Sequence, residues 1–284
     1  MNISDHPCFS GCGRSSSGRI HLPVAPFCNI FCRFCSRAYS QGLSMPGNAR
    51  TLLNPEDALS VMDKALKLCP EIRVAGVAGP GDPLAGPEAL EALRLVKREH
   101  PDVISCLSTN GLALPERMEE ILEAGVQSLT VTVNALDPEI LLKVNRGIIL
   151  NNQFIGGIQA QEILISAQER GIRAAVDNSI AVKINTVLIP EINGRHIEDV
   201  AARASDWGAA MMNVIPLIPA REFKGFKAPA PEEHLRAVEA AERRLPVKLN
   251  CRRCRADACG VPGVSDFSGE LYGDLRVSET FSHG

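Results

Sequence analysis

The segment Cys28-Asn-Ile-Phe-Cys32-Arg-Phe-Cys35 constrains this chain more than any other. Cys-x3-Cys-x2-Cys spacing gathers three thiolates on one short loop, and soft thiolates suit iron–sulfur clusters. Three thiolates can hold three irons of a cubane and leave the fourth iron open to a substrate. The competing reading is a zinc knuckle. Structural zinc takes four ligands, commonly as paired Cys-x2-Cys units, so this loop alone falls one ligand short.

Cysteine usage favours metal chemistry over disulfides. The chain holds ten cysteines: Cys8, Cys12, Cys28, Cys32, Cys35, Cys69, Cys106, Cys251, Cys254 and Cys259. A secreted disulfide protein of 284 residues carries an export signal, and the opening MNISDHPCFSG has no charged-then-apolar pattern. No apolar run approaches the roughly 20 residues of a membrane span. A net charge of −3 and 4% aromatic residues argue against a nucleic-acid binder, which needs a basic face and stacking rings. The expectation is a cytoplasmic protein with reduced thiols and neither nucleic-acid nor membrane partners. One cubane uses three thiols, which leaves seven to explain. A hydrolase reading lacks its parts, since there is no G-x-S-x-G elbow, no H-E-x-x-H and no P-loop.

Apolar periodicity alternates between strand and helix with no linker. Strands are predicted at 21–27, 73–79, 102–111, 128–135, 181–189 and 211–219. Helices are predicted at 55–68, 87–99, 115–124, 159–171, 196–208 and 231–244, the first with Asn54 as its N-cap. Six βα units imply an α/β fold with a parallel sheet. The stretch 152–180 is the widest gap between strands, and a loop covering part of a pocket opening is expected there. Cys69 closes a predicted helix before Pro70 and reads as a core residue. Strand residues alternate between faces. Cys106, Ser108 and Asn110 thus share one face, as do Thr130, Thr132 and Asn134, and Lys183 and Asn185. Leu129, Val131 and Val133 share the opposite one. Parallel strands are normally covered on both sides, so polar faces would line a pocket rather than meet bulk water.

From the cluster loop onward the chain resembles the radical S-adenosylmethionine superfamily. The resemblance implies a partial (β/α)6 barrel over 21–245, with cluster-binding extensions at 1–20 and 246–284. It also implies that a 4Fe-4S cluster on Cys28, Cys32 and Cys35 chelates S-adenosylmethionine through its amino and carboxylate groups. AGPGDPLAG at 78–86 stands where the superfamily has a Gly-Gly-Glu-type turn whose backbone receives the methionine ammonium. Gly79, Pro80, Gly81 and Asp82 occupy that turn here, and glycine permits close backbone approach. A plain Gly/Pro turn leaving a strand is the alternative. Ser108, Asn110, Thr130, Thr132, Asn134 and Asn185 are candidates for the ribose and carboxylate, and Ile215 and Leu217 for the adenine.

A narrower resemblance accounts for the remaining thiols. HPCFS before GRIHLPVAPFCNIFCRFC, then VAGPGDPLAGPEAL, LSTNGLALP, LTVTVNALDPEI, NTVLIPEIN, MMNVIPLIP and CRRCRADACG, resemble in order the NifB family of nitrogenase cofactor maturases. The match spans residues 5–260. It implies an enzyme that joins two 4Fe-4S precursor clusters with an added sulfur and a methyl-derived carbide into an 8Fe-9S-C core. Cys8, His21 and Cys106 would hold the first precursor cluster, and Cys251 and Cys254 the second. The implied partners are an iron–sulfur cluster donor, an electron donor and a separate carrier or scaffold protein, with the enzyme itself a monomer. Some members carry an appended carrier domain, and this chain is expected to be a short form without one. It departs from the family pattern at GCGRSSSG, which contains Cys12, and at the additional Cys259. Either thiol is a third ligand for the second cluster, or idle. Two rivals remain: a radical enzyme whose auxiliary clusters serve another substrate, and a scaffold without catalysis. Cys8 before the loop and Cys106 within the barrel favour the maturase over the first. The open-iron triad and the AGPGDP turn argue against the second.

Overall fold

Strand segments separated by amphipathic helices bury their apolar faces best as a parallel sheet backed by those helices. The computed structural model describes residues 3–9, 16–35, 47–249, 251 and 254–273. In chain order the elements are β1 Gly18–His21, β2 Ile30–Cys32, α1 Pro55–Leu68, β3 Ile72–Val77, α2 Glu88–Glu99, β4 Ile104–Thr109 and α3 Met118–Glu123. They continue with β5 Val126–Thr132, α4 Pro138–Val144, β6 Asn145–Leu150, β7 Gln153–Gly156, α5 Gly157–Asp177 and β8 Ala181–Leu188. The last are α6 Pro190–Asn193, α7 Ile197–Asp206, β9 Met211–Pro216, α8 Pro231–Glu242, β10 Cys259–Gly260 and α9 Ser268–Tyr272.

The main sheet has the order β10-β1-β3-β4-β5-β8-β9. Its six strands from β1 to β9 are parallel and lie side by side in chain order. They curl into a partial barrel, as the resemblance implies. The outer faces of these strands bury Leu107, Leu129, Val131, Val182 and Ile184 against the helices in one continuous core. Helix α1 shows how the local sequence prepares that packing. The side chain of Asn54 accepts from the Asp57 amide at 2.7 Å, and Pro55 opens the helix. Ala58, Val61, Met62 and Ala65 then recur at helical spacing on its buried face. Cys69 is buried in the same core. Among the described residues no helix is long and apolar enough to cross a membrane.

Two expectations fail locally. The first strand ends at His21 rather than running to Phe27. Pro23 and Pro26 have no amide hydrogen, so they cannot extend a ladder, and the chain goes on as an irregular segment bridged at Ala25 to Pro80. The 152–180 stretch is not a covering loop. Asn151 and Asn152 take φ of 51° and 60° and turn β6 into the antiparallel strand β7. Two successive positive φ values are the hairpin geometry that Asn accepts most readily after Gly. Helix α5 follows at once and continues to Asp177. Gly171, which looks like a helix stop, is instead a packing contact. A Cβ there would sit 2.7 Å from the Leu114 side chain. Strand β2 joins β6 and β7 in a separate three-stranded sheet, so the cluster loop rests on a hairpin.

Candidate active site

The Cys28 loop opens onto a cavity of about 210 Å³ at the C-terminal ends of the barrel strands. That end is where α/β folds place their ligands. Cys32 and Cys35 line the cavity, and Cys28 is buried beside it. Strand pairing carries the loop: Cys32 lies opposite Asn145, whose side chain accepts from the Phe31 amide at 3.0 Å. The three thiols form no disulfide.

The Gly-Pro-Gly-Asp turn clamps the base of this loop. The Gly81 amide donates to the Ala25 carbonyl and the Asp82 amide to the Phe27 carbonyl, both at 2.6 Å. A Cβ on Gly81 would collide with the Phe27 carbonyl. The approach is therefore open to glycine alone. The Asp82 carboxylate accepts from the Thr109 hydroxyl and from the amides of Leu84 and Asn110, so it is committed to the protein. Asn110 extends the clamp. Its side-chain amide donates to Asn29 at 2.7 Å, and Gln168 donates to its carbonyl.

Of the other candidates, Ser108, Thr132, Asn185 and Ile215 line the cavity, together with Gly81, Asp82 and Asn110. Gly79, Thr130, Asn134 and Leu217 do not. Thr130 lies opposite Ser108 and opposite Lys183 without reaching the cavity wall. Asn134 is spent on the frame, its side chain accepting from the Val187 amide and its carbonyl from the Asn193 side chain. Leu217 is buried in a second apolar core with Cys28 and Phe223. Strand β9 ends at Pro216, alternation stops, and Ile218 takes the cavity wall instead.

Beneath the cavity the barrel holds a second, thiol-rich basin. His21, Gly76, Cys106 and Ser128 are register partners across four neighbouring strands. Gly76 leaves room between its neighbours: a Cβ would meet His21 at 3.3 Å and Cys106 at 3.6 Å. Cys8 arrives from the N-terminal segment, where the buried His6 ring accepts from its amide at 3.0 Å. The tail arrives from the far edge of the sheet. Val247 bridges to Met212 on β9, and the Lys248 ammonium donates to the Pro7 carbonyl. The tail then reaches β1, where Arg19 donates to the Cys254 sulfur at 3.2 Å and to the Gly260 carbonyl at 2.7 Å.

Charge is concentrated in this basin. Burial raises the Cys8 thiol, but Lys183, His6 and Arg19 outweigh it and bring its pKa down to about 5. Burial lowers His6 and the sulfurs of Cys106 and Cys8 raise it; the Cys8 amide on Nδ1 leaves Nε2 as the nitrogen that carries the proton. Burial, followed by the charge of Arg19, holds His21 down at about 4, against the Arg255 carbonyl. The His21 Nδ1–H donates to that carbonyl at 2.7 Å, which leaves Nε2 as the nitrogen with a lone pair. Burial pushes the Cys254 thiol up.

Among the described residues, three buried polar atoms here meet no hydrogen-bond partner: His6 Nε2, Arg19 Nε and Ser128 Oγ. Buried polar atoms are rarely left so, and this set suits a sulfide-rich anion that accepts hydrogen bonds. Among the described residues, no three His, Cys, Asp or Glu side chains converge on one ion-sized point. A cube of irons and sulfides is far wider than one ion, and thiolates set apart across strands suit it better than they suit zinc.

Cys259 sits elsewhere. It pairs with Ile20, one residue out of phase with the inward-facing Arg19 and His21, and is buried in the helix-side core with Cys69. Burial, and then Cys69, push it up to about 12. Cys12 lies outside the described residues. Arg19, His6, Gly76 and Ser128 were not singled out from the sequence. Arg19 was within reach of the parity rule, since it shares the inward face with His21.

Comparison with known proteins agrees with this geometry. The Radical SAM superfamily profile matches residues 22–204. The FeMo cofactor biosynthesis protein NifB of Methanocaldococcus jannaschii is 42% identical over 286 residues, covering 98% of this chain and 95% of that protein. Its counterpart in Methanocaldococcus infernus is 41% identical, covering 95% and 90%. Among solved structures, a radical SAM methyltransferase from Sphaerobacter thermophilus shares the fold at TM-score 0.55 and 19% identity, over 82% of this chain and 64% of that one.

Proposed function

Because this chain belongs to the NifB family of FeMo cofactor biosynthesis proteins, within the radical SAM superfamily, we propose that it builds an 8Fe-9S-C cofactor core. Its substrates are two 4Fe-4S precursor clusters, joined with a methyl-derived carbide and one further sulfur. The reaction is of the transferase and lyase type. When bound to Cys28, Cys32 and Cys35, the resident 4Fe-4S cluster supplies the electron that cleaves S-adenosylmethionine to a 5′-deoxyadenosyl radical. Ser108, Thr132 and Asn185 would hold the polar parts of S-adenosylmethionine, and Ile215 would flank its adenine. Cys8, Cys106 and the Nε2 of His21 would receive the first precursor, and Cys251 and Cys254 the second. A metal-binding histidine normally donates its other ring N–H to a carbonyl or carboxylate, as His21 does to Arg255. An electron donor, a cluster donor and a carrier for the product complete the reading.

The observation that carries it is convergence. Thiols from three separate stretches, Cys8, Cys106 and the tail pair Cys251 and Cys254, all act electrostatically on one buried lysine, Lys183. Lys183 faces the barrel interior two residues before Asn185, which lines the cavity together with Cys32 and Cys35. An enzyme with a single radical cluster has no use for that second set. The test is anaerobic reconstitution with iron counting, spin-resonance spectroscopy and methyl-labelled S-adenosylmethionine. Replacing Cys8 and Cys106 by alanine should lower iron content while 5′-deoxyadenosine is still formed. Replacing Cys251 and Cys254 by alanine should remove S-adenosylhomocysteine formation. Wild-type iron content in the first variant, together with wild-type methyl transfer in the second, would reduce the basin to a structural feature.

A further inference from the structure

We infer that Lys183 is the cationic anchor on which the two precursor clusters are brought together, a binding role for a residue outside the thiol set. The inference rests on the function proposed above for this basin. Its geometry comes from strand register. Asn185 lines the upper cavity, and Lys183, two residues earlier on β8, shares its inward face one step deeper. Cys106 stands in the same relation to Ser108 on β4. Lys183 is opposite Thr130, which is itself opposite Ser108. The lysine therefore enters the barrel level with Ser108, which lines the cavity, and one register step above Cys106, which is in line with Ser128 and Ala181.

Among the described residues no carboxylate pairs with it. Lys183 is only 5% exposed, and an ammonium in such a place is costly unless negative charge offsets it. The two buried carboxylates among the described residues are engaged elsewhere. Asp257 is held by Arg50 and Arg255, and Asp82 by Thr109, Asn110 and Leu84. The groups that act on it are sulfurs: Cys8, Cys106, Cys251 and Cys254. Arg19, a second cation here, already donates through two of its nitrogens to the Cys254 sulfur and the Gly260 carbonyl. Its task is to dock the tail. Those sulfurs come from two directions, Cys8 and Cys106 from the N-terminal segment and β4, and Cys251 and Cys254 from the tail.

That position answers a physical difficulty in the proposed reaction. A thiolate-ligated 4Fe-4S cluster carries net negative charge. Two of them in one enclosed, weakly polar space repel strongly, because Coulomb energy grows as the local dielectric falls. A fixed ammonium between them attracts both and carries three donors for cluster sulfides. Hydroxyls such as Ser128 can donate a hydrogen bond, but they bring no charge.

The test uses the full chain with Cys28, Cys32 and Cys35 replaced by alanine, so that only the basin can take clusters. The probe is a synthetic thiolate-ligated 4Fe-4S cluster, titrated anaerobically, with iron and acid-labile sulfide read per chain. Lys183→Met should raise the cluster concentration for half-loading about tenfold or more, in keeping with the loss of one member of a buried charge pair. Lys183→Arg should recover most of the loading, which a merely structural lysine would not predict. Apoprotein melting followed by circular dichroism checks the fold, and Lys183→Gln replaces the methionine variant if that one fails to fold. Unchanged loading in the methionine or glutamine variant would overturn the anchor and leave the proposed function standing. If the parent takes up no cluster at all, the proposed function and the anchor fall together.

Discussion

At Gly81 a single hydrogen decides whether the cluster loop can reach its place. The Gly81 and Asp82 amides both bind carbonyls of the segment that leads into Cys28, and no side chain fits at Gly81 between those backbones. Gly81→Ala should cost about 1–3 kcal/mol of stability, as overpacked sites do. It should also lower occupancy of the radical cluster, visible as a weaker spin-resonance signal per chain, while Cys8 and Cys106 remain in place. A full signal with an unchanged melting temperature would contradict the clamp. His21 makes a prediction about pH in the apoprotein. Its pKa is about 4 in the fold and about 6.5 in an unfolded chain. Below about pH 6.5 the unfolded state takes a proton that the fold refuses, so stability falls until the folded ring titrates near 4. His21→Phe should lose less stability than wild type between pH 7 and pH 5, read from urea midpoints. At this scale the sequence was partly legible. Alternation placed Ser108, Thr132 and Asn185 on the cavity wall, because their strands stay regular through those positions. It does not carry to Thr130, which lies opposite Ser108 without lining the cavity, or to Asn134, which lies past the end of β5 and binds backbone instead.

Among the elements, the C-terminal tail depends most on a few polar contacts. Strand β10 pairs with β1 at only Arg19 and Ile20, too short a ladder to hold by itself. The Asp257 carboxylate supplies the rest. It accepts from the Arg50 amide at 2.6 Å and pairs with the guanidinium groups of Arg50 and Arg255. Tyr272 adds a bond from its hydroxyl to the His21 carbonyl. Removing one side of a buried ion pair costs about 3–5 kcal/mol. Asp257→Ala should therefore release the tail before the barrel unfolds. Limited proteolysis should cut between β9 and β10 faster in the variant, while far-ultraviolet circular dichroism stays near wild type. Equal cleavage rates would place the tail's stability elsewhere. The βα units themselves were readable, since each has a long apolar period and many have Pro or Asn at the helix start. The hairpin of β6 and β7 was not, because its signal is only the Asn151-Asn152 pair between short strands. Helix α5 was read too short because Gly171 imitates a stop while serving a contact with Leu114.

Across the whole molecule, the barrel has two levels fed from different directions. The upper cavity belongs to the cluster loop, the clamped turn and the hairpin beneath them. The lower basin is built from β1, β3, β4, β5 and β8, with the N-terminal segment and the tail meeting where the Lys248 ammonium binds the Pro7 carbonyl. No local sequence pattern could announce that meeting, since it joins residues 241 positions apart. The two levels should therefore respond independently to substitution. Gly76 provides the means to test this, because it faces only the lower level. An added Cβ would already approach His21 at 3.3 Å and Cys106 at 3.6 Å. The further methyls of valine would occupy the space the two share, and a β-branched residue is at ease in a strand. Gly76→Val should then reduce iron loading of the basin about twofold or more, the effect expected of a filled binding space. The spin-resonance signal of the radical cluster and the calorimetric affinity for S-adenosylmethionine should stay at wild-type values. Loss of both levels together would mean that the barrel interior is one site, and undiminished loading would remove the first precursor from the space between His21 and Cys106.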